Sequence, residues 1–313
     1  MWWDRDVSAP GTYILGAAAR CETIRWVRLG LHALGIGAGA QRAVIDAVAV
    51  AAEEHGFATL WSGEHVVLVD RPASRYPYSA DGRIAVPSTA DWMDPLSGLS
   101  SAAAATTTIG LATGVLVLPE HNPVVVAKQA ATLDRLSGGR LTPGVGIGWS
   151  REEFDTLGVP FERRAPRTAE YVAAMRRLWR DDVASFAGEF VDFQRVRLNP
   201  KPARERRIPI VVGGNSDAAL RRVVDWGDGW YGFNLPDVTA VGDRVAVIAR
   251  LCRGAGRDPG ELQLAVALEH LRQADVPALS EAGIDEVVVV GAPPDDVAAV
   301  PEWVAGLAAQ YAP

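Results

Sequence analysis

"TTTIGLATGVLVLPEHNPVVVAKQAATLDRLSGGRLTPGVGIGWSREEFDTLG", residues 106–158, reads as an apolar strand, a helix and a second strand. The first strand, 108–118, is apolar without strict alternation, so both of its faces are expected to be covered. Asn122-Pro123 is a helix start, and the helix runs to about 137. The strand in 139–148 places glycine at alternate positions and ends in Trp149 and an acidic run. It lacks the Lys-Ser/Thr ending of a phosphate loop, and its spacing misses the GxGxxG dinucleotide fingerprint.

The same rhythm extends both ways. Upstream, "VRLGLHAL" (27–34) is a strand, 40–55 a helix and "GFATLWSGEH" (56–65) a strand. A long polar segment, 66–92, reads as a lid or binding loop, and Asp94-Pro95 opens the next helix. Downstream, a helix over 165–180 precedes an aromatic, alternating segment, 186–202, that reads as a small hairpin outside the main sheet. Strands in 207–214, 227–233, 262–268 and 284–291 then alternate with helices over 216–226, 237–253, 273–282 and 295–311.

Eight strand-helix units over about 285 residues favour an α/β fold built as a single (β/α)8 TIM barrel with an insertion segment. A doubly wound open sheet is the rival. The barrel makes 27–313 one domain and leaves 1–26 as an N-terminal extension, whose apolar patch lacks the cationic flank of an export signal.

Composition narrows the function. The chain has 313 residues, 49% apolar and 22% charged, as in an ordinary globular protein. A net charge of -7 offers no basic field to a nucleic acid. No window reaches the ~18 uninterrupted apolar residues of a membrane span. Cys21 and Cys252 are the only cysteines, so a disulfide framework and a structural zinc site are unsupported. A reducing, cytoplasmic compartment is expected.

Barrel enzymes carry their sites at the C-terminal ends of the strands. Here those ends supply His32, Ser62, Glu64, His65, Thr113, Gly114, Gly146, Gly148, Trp149, Gly213, Gly214, Asn215, Trp230, Tyr231 and Gly232. There is no GxSxG elbow for acyl transfer, and five histidines are few for a metal hydrolase. Many glycines and few polar groups suit a flat organic cofactor that carries the reaction itself. "VVGGNSDAALRRV" offers a turn and helix start where Gly213, Gly214 and Asn215 meet an anion, or alternatively a plain capped turn. His65 is a candidate acid/base, with Glu64 as its orienting group; a loop-packing role is the alternative.

Taken together, "AAEEHGFATLWSGEHVVL", the 106–158 block and "PIVVGGNSDAALRRVVDWGDGWY" resemble the luciferase-like monooxygenase superfamily, and in particular its coenzyme F420-dependent oxidoreductases. The resemblance implies a barrel, commonly a homodimer, that holds F420 or FMN at its mouth and passes a hydride between F420 and a small organic substrate. An FMN-dependent monooxygenase using O2 and a non-catalytic binding barrel are the alternatives. It further implies that His65 is catalytic, and that a non-prolyl cis peptide joins Gly114 and Val115 behind the ring. Gly213 and Gly214 hold the cofactor phosphate in this reading. Tyr231 and Gly232 lie beside it, Gly148 and Trp149 lie near the ring, and His32, Glu64, Thr113 and Asn215 complete the cofactor site. The sugar-phosphate dehydrogenase branch has glutamate at the place of Trp149, so that substrate class does not fit.

Overall fold

The computed structural model describes residues 27–311; the expected extension at 1–26 lies outside them. Twelve strands are present: β1 (Arg28–Leu34), β2 (Thr59–Ser62), β3 (Gly110–Thr113), β4 (Leu116–Val117), β5 (Leu141–Thr142), β6 (Gly144–Gly146), β7 (Ala184–Ala187), β8 (Asp192–Val196), β9 (Val211–Gly213), β10 (Gly229–Leu235), β11 (Gln263–Leu268) and β12 (Glu286–Val290). The helices are α1 (Arg42–Glu54), α2 (Pro95–Ala105), α3 (Pro123–Leu136), α4 (Arg151–Thr156), α5 (Arg164–Arg180), α6 (Asp217–Trp226), α7 (Val238–Ala255), α8 (Val276–Glu281) and α9 (Val300–Tyr311).

Ten strands form one parallel sheet in the order β4-β6-β9-β10-β11-β12-β1-β2-β3-β5. Its two ends are halves of the same elements, because β3 and β4 are one strand interrupted at Gly114–Val115, and β5 and β6 one strand interrupted at Pro143. Pro143 cannot donate to a ladder, and the Gly114–Val115 peptide is cis. The Thr113 hydroxyl donates to Gly144 O at 2.7 Å across this seam. The sheet therefore curls into a (β/α)8-type barrel of bacterial-luciferase type, with two of its eight strands broken. The expected hairpin is β7–β8, antiparallel and separate from the barrel.

Helix starts follow the local chemistry. Asp94 accepts from Ser97 N, Asn122 from Val124 N, Ser216 from Ala219 N and Asp237 from Ala240 N, each satisfying an amide that the helix itself leaves free. Buried faces of the helices pack on the outside of the sheet in two apolar clusters. A third cluster fills the interior: Trp61 stacks on Tyr231 with ring centroids 4.4 Å apart, among Ala112, Val211, Ala265, Ala267 and Val288.

Candidate active site

The mouth of the barrel is the end where β2, β6, β9 and β10 finish, and the 66–92 segment lies over it. Its attachments are specific. Glu152 Oε1 accepts from Ala73 N (2.7 Å) and Ser74 N (2.9 Å), while Asn234 Nδ2 donates to Tyr78 O (2.8 Å). Burial alone would raise the Glu152 carboxyl, but the Ser74 and Ala73 hydrogen bonds outweigh it and hold the group down at about 2. Tyr76 packs edge-on against Trp149, and Tyr78 against Phe233.

Beneath this lid is His65. Its Nδ1 lies 2.8 Å from Glu153 Oε2, with side chains 9% and 2% exposed. The other oxygen of Glu153 accepts from Val66 N (2.7 Å) and Val67 N (3.3 Å). An ionised carboxylate only accepts, so the proton between the pair sits on Nδ1 and leaves Nε2 as the working nitrogen. Among the described residues Nε2 has no hydrogen-bond partner. Trp92 and Trp149 contact the ring edge-on, with centroids 4.8 and 5.7 Å away, which fixes its plane.

Glu64, expected to orient His65, does something else. Its carboxylate accepts from Val117 N and pairs with His121 Nε2 at 2.9 Å. Glu64 and Glu153 both act on a third acid, Glu120, which is 7% exposed and has neither carboxyl oxygen hydrogen-bonded. Burial first, and then the charges of Glu153 and Glu64, push Glu120 up to about 9, so it is neutral at ordinary pH. Burial opposes the charged form of His121, but Glu64 prevails and raises its pKa.

The glycines of the mouth have close neighbours within the protein itself. A Cβ on Gly146 or on Gly213 would come within 2.5 Å of Val115, and one on Gly144 within 2.1 Å of Thr113 O. A Cβ on Gly148 would meet Phe154 at 2.6 Å, and one on Gly232 the Trp230 ring at 2.5 Å. At these positions the missing side chains make room for the protein's own atoms. Gly114 alone faces a set of rings, Tyr231, His32 and Trp61, at 3.1–3.2 Å from its Cβ position. His32 Nδ1 lies 3.1 Å from Tyr231 Oη, and burial depresses the imidazole to about 4, which keeps it neutral.

At the end of β9, Gly214 has φ +117° and donates its N–H to Tyr231 O at a long 3.3 Å. Beside it, Asn215 Nδ2 donates to Phe233 O (2.7 Å), while Asn215 Oδ1 and Arg222 Nε are buried without partners. Burial, and then the neighbouring charge of Arg164, lower Arg222. Arg164 donates to Gly148 O at 3.1 Å. Two neighbouring arginines, one with an orphaned donor, offer a cradle to an anion, and the orphaned Asn215 oxygen is an acceptor suited to a hydroxyl. Tyr78, Arg164, Arg222 and Glu153 had no periodic signal to mark them in the sequence.

Among the described residues no His, Cys, Asp and Glu side chains group as metal ligands, and no helix is long and apolar enough to cross a membrane. A larger cavity of about 260 Å³ opens at the other end of the barrel, beside Arg28, Thr59 and Glu286. Barrel chemistry belongs to the C-terminal ends of the strands, so the size of that cavity does not locate the site.

Residues 26–275 match the model of the luciferase-like monooxygenase family. The chain belongs to this family. An uncharacterized protein of Mycobacterium tuberculosis is 36% identical over 264 residues, which covers 83% of this chain and 92% of the relative. The FMNH(2)-dependent dimethylsulfone monooxygenase of Pseudomonas putida is 38% identical over 111 residues, 34% of this chain and 31% of the relative. The fold is similar to that of the coenzyme F420-dependent tetrahydromethanopterin reductase of Methanopyrus kandleri, with a TM-score of 0.68 and 16% identity over 91% of this chain and 98% of that one. The protein is accordingly an oxidoreductase of the luciferase-like barrel family that acts on a small organic substrate.

Proposed function

We propose that this luciferase-like protein is a monooxygenase that uses reduced FMN and O2 to oxidise its substrate. The observation that carries the reading is the junction of two features under one lid: the His65–Glu153 pair with its free Nε2, and the Arg164/Arg222 cradle with its orphaned Asn215 oxygen. These residues fit a ribityl phosphate, which needs both cationic donors and a hydroxyl acceptor. The phosphate belongs at Arg164 and Arg222, the ribityl hydroxyls at Asn215, and the ring at Gly114, Val115 and His32. Thr113, Gly148, Trp149, Gly213, Gly214, Tyr231 and Gly232 shape the surrounding wall.

Bound reduced FMN supplies the electrons that activate O2. The chain's residues do the rest. The lid and the rings of Tyr76, Trp92 and Trp149 exclude water. His65 takes or returns a proton at Nε2 while Nδ1–H stays bonded to Glu153, so the ring keeps one tautomer and one orientation. The name of the Pseudomonas relative supports FMN.

Hydride transfer with F420 is the second reading. The F420-dependent reductase favours it, because its length matches this chain almost end to end. Homodimeric assembly, a single domain over 27–313 and a cytoplasmic location belong to the same proposal. A titration of the purified protein with FMN and with F420 tests it, followed by oxygen uptake in the presence of a flavin reductase and isotopic oxygen. Tight FMN binding with label entering a product is expected. Preference for F420 with no oxygen consumed transfers the assignment to the second reading, and failure to react with either cofactor leaves a binding protein.

A further inference from the structure

Between the lid and the barrel mouth lies a cavity of about 30 Å³. Its lid wall is aliphatic, formed by Val67, Leu68, Val69, Pro72, Ile84 and Val86, and its floor is His65 and Trp149. The polar atoms at its edge are already engaged. Ser88 Oγ donates to Asp70 (3.1 Å), Ser150 Oγ caps α4 through Glu153 N (3.3 Å), and the charge of Glu153 is matched by His65 and two lid amides. Neither lysine nor arginine lines it. The cationic groups Arg164 and Arg222 stand elsewhere, with Arg164 donating to Gly148 O and its charge acting on Arg222, where the cofactor tail is proposed to lie.

We propose that the substrate is a small, uncharged molecule that puts a short aliphatic group into the lid cavity and one hydroxyl that donates to His65 Nε2. This deepens the oxidative reading of the site and rests on it. A carboxylate or phosphate in the cavity leaves water without gaining a counter-charge, and an ammonium gains one neutral acceptor, Nε2, for the three N–H donors it takes out of water. An aliphatic group loses only its contact with water, and binding tightens about fourfold per methylene. The gain ends when the cavity is full, after about two to three heavy atoms.

The test is equilibrium binding to the FMN-loaded protein, read from the nitrogen-15 and proton shifts of the Trp149 indole and the His65 ring. The probes are 2-propanol, 2-butanol and 2-pentanol, the carboxylates of equal chain length, and the matching alkylammonium ions. Alcohol affinity is expected to rise about fourfold per carbon and to exceed that of both charged series by about tenfold or more. Ile84→Lys, on the lid, is expected to reverse the preference towards carboxylates. Ile84→Ala is expected to keep the preference for neutral probes and flatten the chain-length gain. Charged probes that bind as well as the alcohols, or alcohols insensitive to chain length, overturn the proposal. Since no turnover is read, a protein that shows this pattern yet consumes no oxygen refutes the monooxygenase assignment and leaves the substrate class standing.

Discussion

Glu153→Gln separates the charge of the His65 partner from its shape. In the native protein one oxygen accepts from Val66 N and Val67 N and the other faces Nδ1. Glutamine has a single acceptor oxygen. The two backbone amides cannot change from donors, whereas an imidazole can move its proton, so the amide oxygen should take the Val66 side and the NH2 should point at Nδ1. His65 must then accept at Nδ1 and carry its proton on Nε2. The three contacts survive as neutral bonds of roughly half their former strength, which costs about 1–2 kcal/mol of stability. By contrast, Glu153→Ala removes all three acceptor contacts, leaves part-buried donors unpaired and costs about 1–3 kcal/mol for each donor that water cannot reach. A base whose lone pair has been replaced by a proton loses about 10²–10⁴-fold in kcat, with KM little altered because the Trp92 and Trp149 contacts still hold the ring. Nitrogen-15 shifts of the His65 ring report the tautomer directly, and urea unfolding reports the stability. A Glu153→Gln protein with the native tautomer and undiminished kcat would refute the assignment of Nε2 as the working nitrogen.

Four other outcomes follow from the same geometry. Glu120 has its folded pKa raised to about 9, so the native state holds a proton that the unfolded chain releases near 4.5, and stability falls as pH rises through that window; Glu120→Gln should match the wild type at pH 4 and exceed it at pH 8 in thermal melts. His32 is depressed to about 4, so its contribution is present above 6.5 and is lost as pH falls from 6.5 to 4; His32→Gln should flatten that acid limb. Glu152→Ala frees the amides of Ala73 and Ser74 and should speed proteolysis within 66–92 while the melting temperature stays nearly constant. Gly213→Ala, with its Cβ 2.5 Å from Val115, should cost about 1–3 kcal/mol by overpacking, and Val115→Ala in the same chain should recover most of it, as a double-mutant cycle will show.

The barrel was legible because its signals are local. Non-alternating apolar strands, Asp94-Pro95 and Asn122-Pro123 starts, and the aromatic alternation of 186–202 each sit within one element and act through its own backbone. The breaks in two strands were less so. The resemblance implied the cis link at Gly114–Val115, whereas Pro143 stands inside what reads as one continuous strand. Periodicity counts side chains and is blind to a missing ladder bond.

His65 stands out in the sequence as a candidate, whereas the groups that surround it do not. Ser150-x-x-Glu153 has the spacing of a capping box, in which the glutamate turns back onto its own helix start. Ser150 does cap α4, but the Glu153 carboxylate reaches 88 residues back along the chain to His65. Nothing local separates these two uses of the same residue, because the difference lies in what the fold brings opposite it. The alternating glycines carry the same lesson. Their pattern announces a close approach without naming the visitor, and the visitor is Val115 and Phe154. What the cofactor reading retains is the part that depends on unsatisfied chemistry rather than on empty space: a neutral His32, a free Nε2, and an Arg222 whose buried Nε has no partner and feels the charge of Arg164.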